Sequence, residues 1–425
     1  MSISASTSSA TTSAQNSGAD STANKQRGEA ELKALLARET DPTDDAALRE
    51  KETALVDLGK LYRDQKNAEA LSDVVLSSRS FMSTIAKAKT AKLIRTLIDF
   101  FAAIPNSRDT QIKVTQENIE WAKSEKRIFL KQNLETRLVG LYIDSGNYKE
   151  ALNLINSLLR ELKRLDDKMI LTEVHLLESR VNHALVNFAK ARAALVAART
   201  AANSIYCPPL LQASLDLQSG VLHAEEKDYK TAFSYFFEAL EGLSSQDDIR
   251  AVSALKYMLL CKIMLNLPDD VASIVASKLG KRYAGLDEDA MKAIATAYAH
   301  RSLQEYQDAL KAHKAQLSDD PIIRNHLASL YDTLIEQNIL KCIEPFSKVE
   351  ISYVAEQVKQ PMRDVENKLS QMILDNVFHG ILDQGAGCLL IFDDPEEDKT
   401  YDASLDVMKH VGQVIDSLYK KAEKL

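Results

Sequence analysis

GVLHAEEKDYKTAFSYFFEAL, residues Gly220 to Leu240, is the stretch whose reading decides the fold. Gly220, Ala232, Phe236 and Ala239 follow the small, small, aromatic, small spacing of a tetratricopeptide-like repeat. Such a pattern suits two antiparallel helices that cross closely. A small side chain lets the backbones approach, and a large one from the next turn fills the groove. The stretch therefore predicts a helical hairpin whose turn lies just before Ala232.

Two earlier copies keep part of the pattern. Near SGNYKEAL and NFAKARAAL a small turn is again followed by an alanine, at Ala151 and Ala191. The matching positions are Val139, Ala151, Ile155 and Leu158, then Ser179, Ala191, Leu195 and Ala198. The copies recur about every forty residues, against about 34 in a standard repeat, which calls for longer helices or looser turns. Weaker copies lie at Leu58 to Leu71 and at Ala297 with Ala309. Units of this kind bury one another's faces in a stack, so residues 29–315 are expected to form a right-handed α-solenoid. The one strong interruption is Cys207-Pro208-Pro209, because consecutive prolines do not sit inside a helix.

Composition agrees. Of 425 residues 45% are hydrophobic, while only 13 are glycine and 9 proline, the balance of an almost wholly helical chain too long for one compact domain. The formal charge of −8 speaks against the continuous basic footprint that phosphate backbones require. Four widely spaced cysteines, with no C-x-x-C pair, read as the thiols of a reducing compartment. Residues 1–28 are a Ser/Thr/Ala run without the apolar centre of a signal peptide, expected to be a disordered tail. No apolar run reaches the length of about 18 residues that a membrane span needs, so no membrane partner is expected.

The pattern changes after the repeats. EPFSKVEIS alternates and predicts a strand at about Phe346 to Ile351, followed by a helix over Ser352 to Lys359 and a turn at Gln360-Pro361. A second helix is expected from Pro361 to Asn376, with proline at its first position. FHGILDQGAGCLLIFDD then supplies two strands around Gly385-Ala386-Gly387, a turn suited to a hairpin. Strand, two helices and hairpin make a winged helix over residues 316–395. A helix-turn-helix invites a nucleic-acid reading, yet Arg363 and Lys368 stand against Asp364, Glu366 and Asp375, and an acidic run, Asp393 to Asp398, follows the wing.

Beyond it, residues 396–425 predict one long helix. Tyr401, Leu405, Met408, Val411, Ile415, Leu418 and Ala422 step by three or four along one face. That stripe needs a partner. Either the helix folds back on its own domain or it joins a bundle with helices of other chains. Leu389 and Ile391, on the strand Cys388 to Phe392, are a further candidate contact: their side chains read as core, but at a sheet edge the strand's backbone would pair with a neighbouring sheet.

No constellation that carries a reaction is present. There is no phosphate loop, H-E-x-x-H, G-x-S-x-G or calcium loop, and the eight histidines include no i, i+4 pair. Gly385 and Gly387 lack the third glycine and following helix of a dinucleotide cradle. Catalytic, cofactor-binding and metal-ligating residues are therefore expected to be absent, and the chain to be no enzyme.

An α-solenoid running into a winged helix resembles the layout of PCI proteins, scaffold subunits of the proteasome lid, the COP9 signalosome and a translation-initiation complex. EWAKSEKR (Glu120 to Arg127), SIYCPP (Ser204 to Pro209), KYMLLCKIMLN (Lys256 to Asn266), EPFSKV (Glu344 to Val349), KLSQMILD (Lys368 to Asp375) and FHGILDQG (Phe378 to Gly385) are similar to segments of non-ATPase lid subunits of the proteasome regulatory particle. The resemblance implies a non-catalytic scaffold in ubiquitin-dependent proteolysis, found in cytoplasm and nucleus. It further implies a solenoid that clamps the ATPase ring and the core-particle alpha ring, a winged helix that joins neighbouring lid subunits, and a terminal helix in a shared bundle. A scaffold of another PCI complex, signalosome-like, is the alternative, and a winged-helix nucleic-acid binder a more distant one.

Overall fold

A computed structural model of the chain describes residues 28, 32–36, 45–79, 87–105, 107–283, 285–318, 320–392 and 399–423. Most of the Ser/Thr-rich leader and the acidic run after the wing lie outside the described residues. Contacts divide the chain into two compact units, meeting between Ala251 and Val252.

The first unit is a succession of helices: α1 (Asp45–Gln65), α2 (Ala68–Ser77), α3 (Lys87–Ala102), α4 (Arg108–Ser124), α5 (Ile128–Asp144), α6 (Tyr148–Leu165), α7 (Lys168–Ala184), α8 (Phe188–Asn203), α9 (Pro209–Glu225) and α10 (Tyr229–Ser245). The helix pairs stack as the repeat predicts. Ala151, Ala191 and Ala232 are all completely buried, and Ile155, Leu195 and Phe236 one turn later are buried with them. The close approach is sharpest between α9 and α10, where a Cβ on Gly220 would stand 2.6 Å from Cε1 of Phe236.

The turns explain how so few glycines suffice. A helix ends on a residue with left-handed backbone, and the next residue already begins its successor. Lys66, Asp166, Val186 and Lys227 have φ of 57°, 53°, 59° and 65°, and the residues after them, Asn67, Asp167, Asn187 and Asp228, accept hydrogen bonds from the N–H groups of Ala70, Ile170, Lys190 and Thr231. The end of each preceding helix is closed by its own backbone: the N–H groups of Asn187 and Asp228 reach back to the carbonyls of Asn182 and His223 at 2.8 and 3.0 Å. Each side-chain cap stabilises a helix start by about 1 kcal/mol. Gly146, with φ 78°, is the glycine the first unit uses at such a turn among the described residues.

A polar cluster ties α8, α9 and α10 together. The Arg199 guanidinium donates to the Asp216 carboxylate at 2.6 Å and to the Tyr235 hydroxyl at 3.0 Å, and lies 4.5 Å from the Tyr235 ring centre. Gln212 adds a 3.1 Å bond to the same carboxylate. With Asp216 nearly buried, these partners replace the water it loses.

The second unit continues with α11 (Arg250–Met264), α12 (Pro268–Ala276), α13 (Lys278–Arg282), α14 (Leu286–Ala299), α15 (Leu303–Ala312), α16 (Lys314–Ser318) and the long α17 (Pro321–Ile343). Then come β1 (Lys348–Glu350), α18 (Ile351–Val358), α19 (Met362–Leu374), β2 (His379–Asp383), β3 (Cys388–Phe392) and α20 (Lys399–Ala422). The winged helix is present, its first helix one residue earlier than the sequence reading and its second running from Met362 to Leu374 instead of Pro361 to Asn376. Pro361 does not open α19 but caps it, with extended ψ of 138°, and its fixed φ of −60° sets the turn. The core of this module is Ile339 and Ile343 from α17 with Val349, Val354, Val358, Val365, Leu369, Met372 and Leu389.

Candidate interaction surfaces

Helix α20 is exposed along its described length. Tyr401, Leu405, Met408, Val411, Ile415 and Leu418 keep between 48% and 71% of their surface open to solvent. Of the two fates the sequence allows this stripe, folding back on its own module is not the one adopted. Val407, Val414 and Tyr419 are exposed as well, and the sequence reading missed them. At about 100° per residue they widen the apolar face to roughly half the circumference, beyond the ~100° stripe of a helix that packs on one neighbour. Gly412 lies inside this face with nothing within 4 Å of the place its Cβ would take. A face of that width, with a gap near one border, suits two neighbouring helices and close approach by one of them.

The sheet corrects a second expectation. Its strand order is β1-β3-β2, both pairings antiparallel, so β3 is the central strand and has no free edge. Leu390 faces Lys348 on one side and Ile381 on the other. The side-chain half of the reading holds: Leu389 is completely buried and Ile391 packs against the same core. The backbone half does not. A hairpin strand becomes an edge or a centre according to where a third strand docks, and β1, about forty residues upstream, takes the side of β3. The open edges belong to β1 and β2, and the most exposed apolar residues on the outer face are Ile381 and Phe392, which keep 54% and 50% of their surface. Period-2 alternation would have found them, as the parity opposite to Leu389 and Leu382.

The second helix of the helix-turn-helix turns no run of cations outward. Lys368 Nζ is held by Glu336 of α17 at 2.8 Å, which leaves Arg363 beside Asp364, Glu366 and Asp375. Readers of phosphate backbones need several such cations aimed the same way.

Cys207 and Cys261 are shifted away from reactivity. Burial, and the nearby Asp216 carboxylate, push the Cys207 thiol above its ordinary value. Burial alone pushes Cys261 up to about 12. A nucleophilic thiol requires the opposite shift. No group of three His, Cys, Asp or Glu side chains among the described residues is placed to hold a metal ion, and no described helix is long and apolar enough to cross a membrane.

Stacked helix pairs, a three-stranded winged helix and a protruding terminal helix define a class, and residues 310–393 match the PCI domain. Residues 9–145 match the 26S proteasome regulatory subunit RPN6 N-terminal domain, and residues 397–423 the 26S proteasome subunit RPN6 C-terminal helix domain. A probable 26S proteasome regulatory subunit rpn6 of Schizosaccharomyces pombe is 54% identical over 376 residues, 88% of this chain and 89% of the relative. A 26S proteasome non-ATPase regulatory subunit 11 homolog of Arabidopsis thaliana is 53% identical over 379 residues, 89% of this chain and 90% of the relative. The 26S proteasome regulatory subunit RPN6 of Saccharomyces cerevisiae is 49% identical over 387 residues, 90% of this chain and 89% of the relative. The chain belongs to the RPN6 family of 26S proteasome regulatory subunits.

Proposed function

We propose that the chain is a non-catalytic scaffold and assembly subunit of the proteasome regulatory-particle lid, acting in ubiquitin-dependent protein degradation in cytoplasm and nucleus. In this reading the helix pairs of residues 29–315 reach out as a clamp to the ATPase ring and the core-particle alpha ring. The winged helix of residues 316–395 docks with neighbouring lid subunits, and residues 396–425 enter a helical bundle shared with them. Neither nucleic acid nor membrane has a place in it.

The observation that carries the proposal is α20. A 24-residue helix with half its circumference apolar and exposed is a poor end state for an isolated chain. Burying several large side chains in a bundle stabilises it by about 1.5–3 kcal/mol for each that is fully covered. Tyr401, Leu405, Met408, Val411, Ile415 and Leu418 form the contact face. At the sheet, β2 offers the open backbone edge, while Leu389 and Ile391 support it from the core.

Leu405→Asp combined with Ile415→Asp tests the reading, because both residues are exposed and the stack of helix pairs should fold unchanged. Thermal unfolding of the purified double variant should match the parent, and affinity purification from cells should no longer recover lid, ATPase and core subunits. Normal incorporation of the folded double variant would refute the bundle role.

A further inference from the structure

The exposed apolar face of α20 has two halves. Tyr401, Leu405, Met408, Gly412, Ile415 and Tyr419 step alternately by four and three, the spacing of a seam between two helices. Val407, Val411, Val414 and Leu418 lie to one side of that seam, and the other side is charged. At about 100° per residue, Asp402, Lys409, Asp416 and Lys420 fall within about 40° of one another along this border, whereas Asp406, His410 and Lys421 lie farther round. Among the described residues none of the four closes an ion pair, although Asp416 and Lys420 stand at i, i+4 spacing.

The signs along the border run minus, plus, minus, plus, and every sign reverses when the helix is read from its other end. That order is self-complementary. In an antiparallel pair of identical helices each charged border faces its own copy, so Asp402 meets Lys420 and Lys409 meets Asp416, each twice. Both pairings are centred within about one residue of Gly412, where the two backbones come nearest. Nothing lies within 4 Å of the place its Cβ would take, which leaves room for that approach. Around this centre Met408 comes opposite Ile415, and Leu405 opposite Tyr419. A parallel pair fits less well, because it sets the charged border of one copy against Val411 and Leu418 of the other.

We propose that the free chain, before it meets any other subunit, pairs through α20 with a second copy of itself, antiparallel and centred on Gly412. A face this apolar needs cover, and a second copy brings a helix of matching spacing and opposite charge order. The pair buries the seam and leaves Val407, Val411, Val414 and Leu418 open to a further helix. The proposal goes beyond the lid reading and shares with it only the premise that α20 is an interaction helix.

Sedimentation equilibrium of the purified full chain at low ionic strength tests it. A reversible dimer is expected, weakened about tenfold by Lys409→Asp, which sets like charges together twice, and restored when Asp416→Lys is added. These side chains are exposed, so the fold should survive. Orientation is read by cross-linking. Under mild oxidation Gly412→Cys should form an intermolecular disulfide that the parent chain lacks, whereas Leu405→Cys, about 21 Å from its own copy in an antiparallel pair, should not. A chain that stays monomeric up to about 100 μM overturns the proposal. So does a dimer indifferent to Lys409→Asp, one that Asp416→Lys fails to restore, or one cross-linked equally through both new cysteines. Each of these outcomes leaves the lid reading standing, since that is decided by the subunits recovered from cells.

Discussion

Helices α10 and α20 carry apolar residues at the same three-and-four spacing and meet opposite fates. In α10 the side chains of Ala232, Phe236, Ala239, Leu240 and Leu243 are at most 1% exposed, because α9 lies against them. In α20 none of the corresponding residues is covered. Amphipathicity states only that a face needs burial. Whether the chain itself supplies the cover depends on whether a complementary small-residue groove, such as the one at Gly220, exists elsewhere in it.

The comparison can be broken most strongly at that groove. Gly220→Leu puts a side chain where Phe236 already sits, so α9 and α10 must part. A loss of about 3 kcal/mol is expected, seen as a lowered unfolding midpoint in urea. The same change at Gly412, where nothing lies within 4 Å, should leave the stability of the free chain unaltered and act only on assembly. Arg199→Leu should come next, with about 2 kcal/mol. It leaves the buried Asp216 carboxylate with the Gln212 amide donating to it, and the loss is smaller than for a fully buried pair because Arg199 is partly exposed. Val186→Asn works in the other direction. A β-branched residue at φ 59° is strained, its side chain is 71% exposed, and asparagine tolerates the left-handed region, so a gain of up to about 1 kcal/mol is expected in the same assay.

The smallest effect concerns pH. Burial, with Arg192 and Arg199 nearby, holds the His223 imidazole below its ordinary value, while Asp228 opposes the shift. Between the folded value and the unfolded one of about 6.5, the unfolded chain binds more protons. Stability contributed by neutral His223 is therefore present above about pH 6.5 and declines as pH falls through the folded value. His223→Gln should flatten that decline in midpoints measured from pH 7.5 to 5.

The repeat was legible because it is written in side-chain size. Ala151, Ala191 and Ala232 are small where two backbones cross, and no other chemistry demands an alanine about every forty residues. The winged-helix core was legible for the same kind of reason: Val354, Val358, Val365, Leu369 and Met372 keep helical period, and all are buried. The helix ends were less so. Stop signals rest on glycine, whereas this chain turns on Lys66, Asp166, Val186 and Lys227, whose backbone a residue name does not reveal.

By itself the sequence determined the helical period, the phase of the repeat, the winged helix and the apolar stripes of α20. Local spacing and side-chain size are sufficient for those. Tertiary structure decided what meets what: β1 docks on β3 and makes it the central strand, leaving the open edges to β1 and β2, Lys368 goes to Glu336, and Phe129 and Tyr206, far apart in the chain, line one shallow surface depression. Those outcomes depend on contacts between distant segments, which no local pattern specifies.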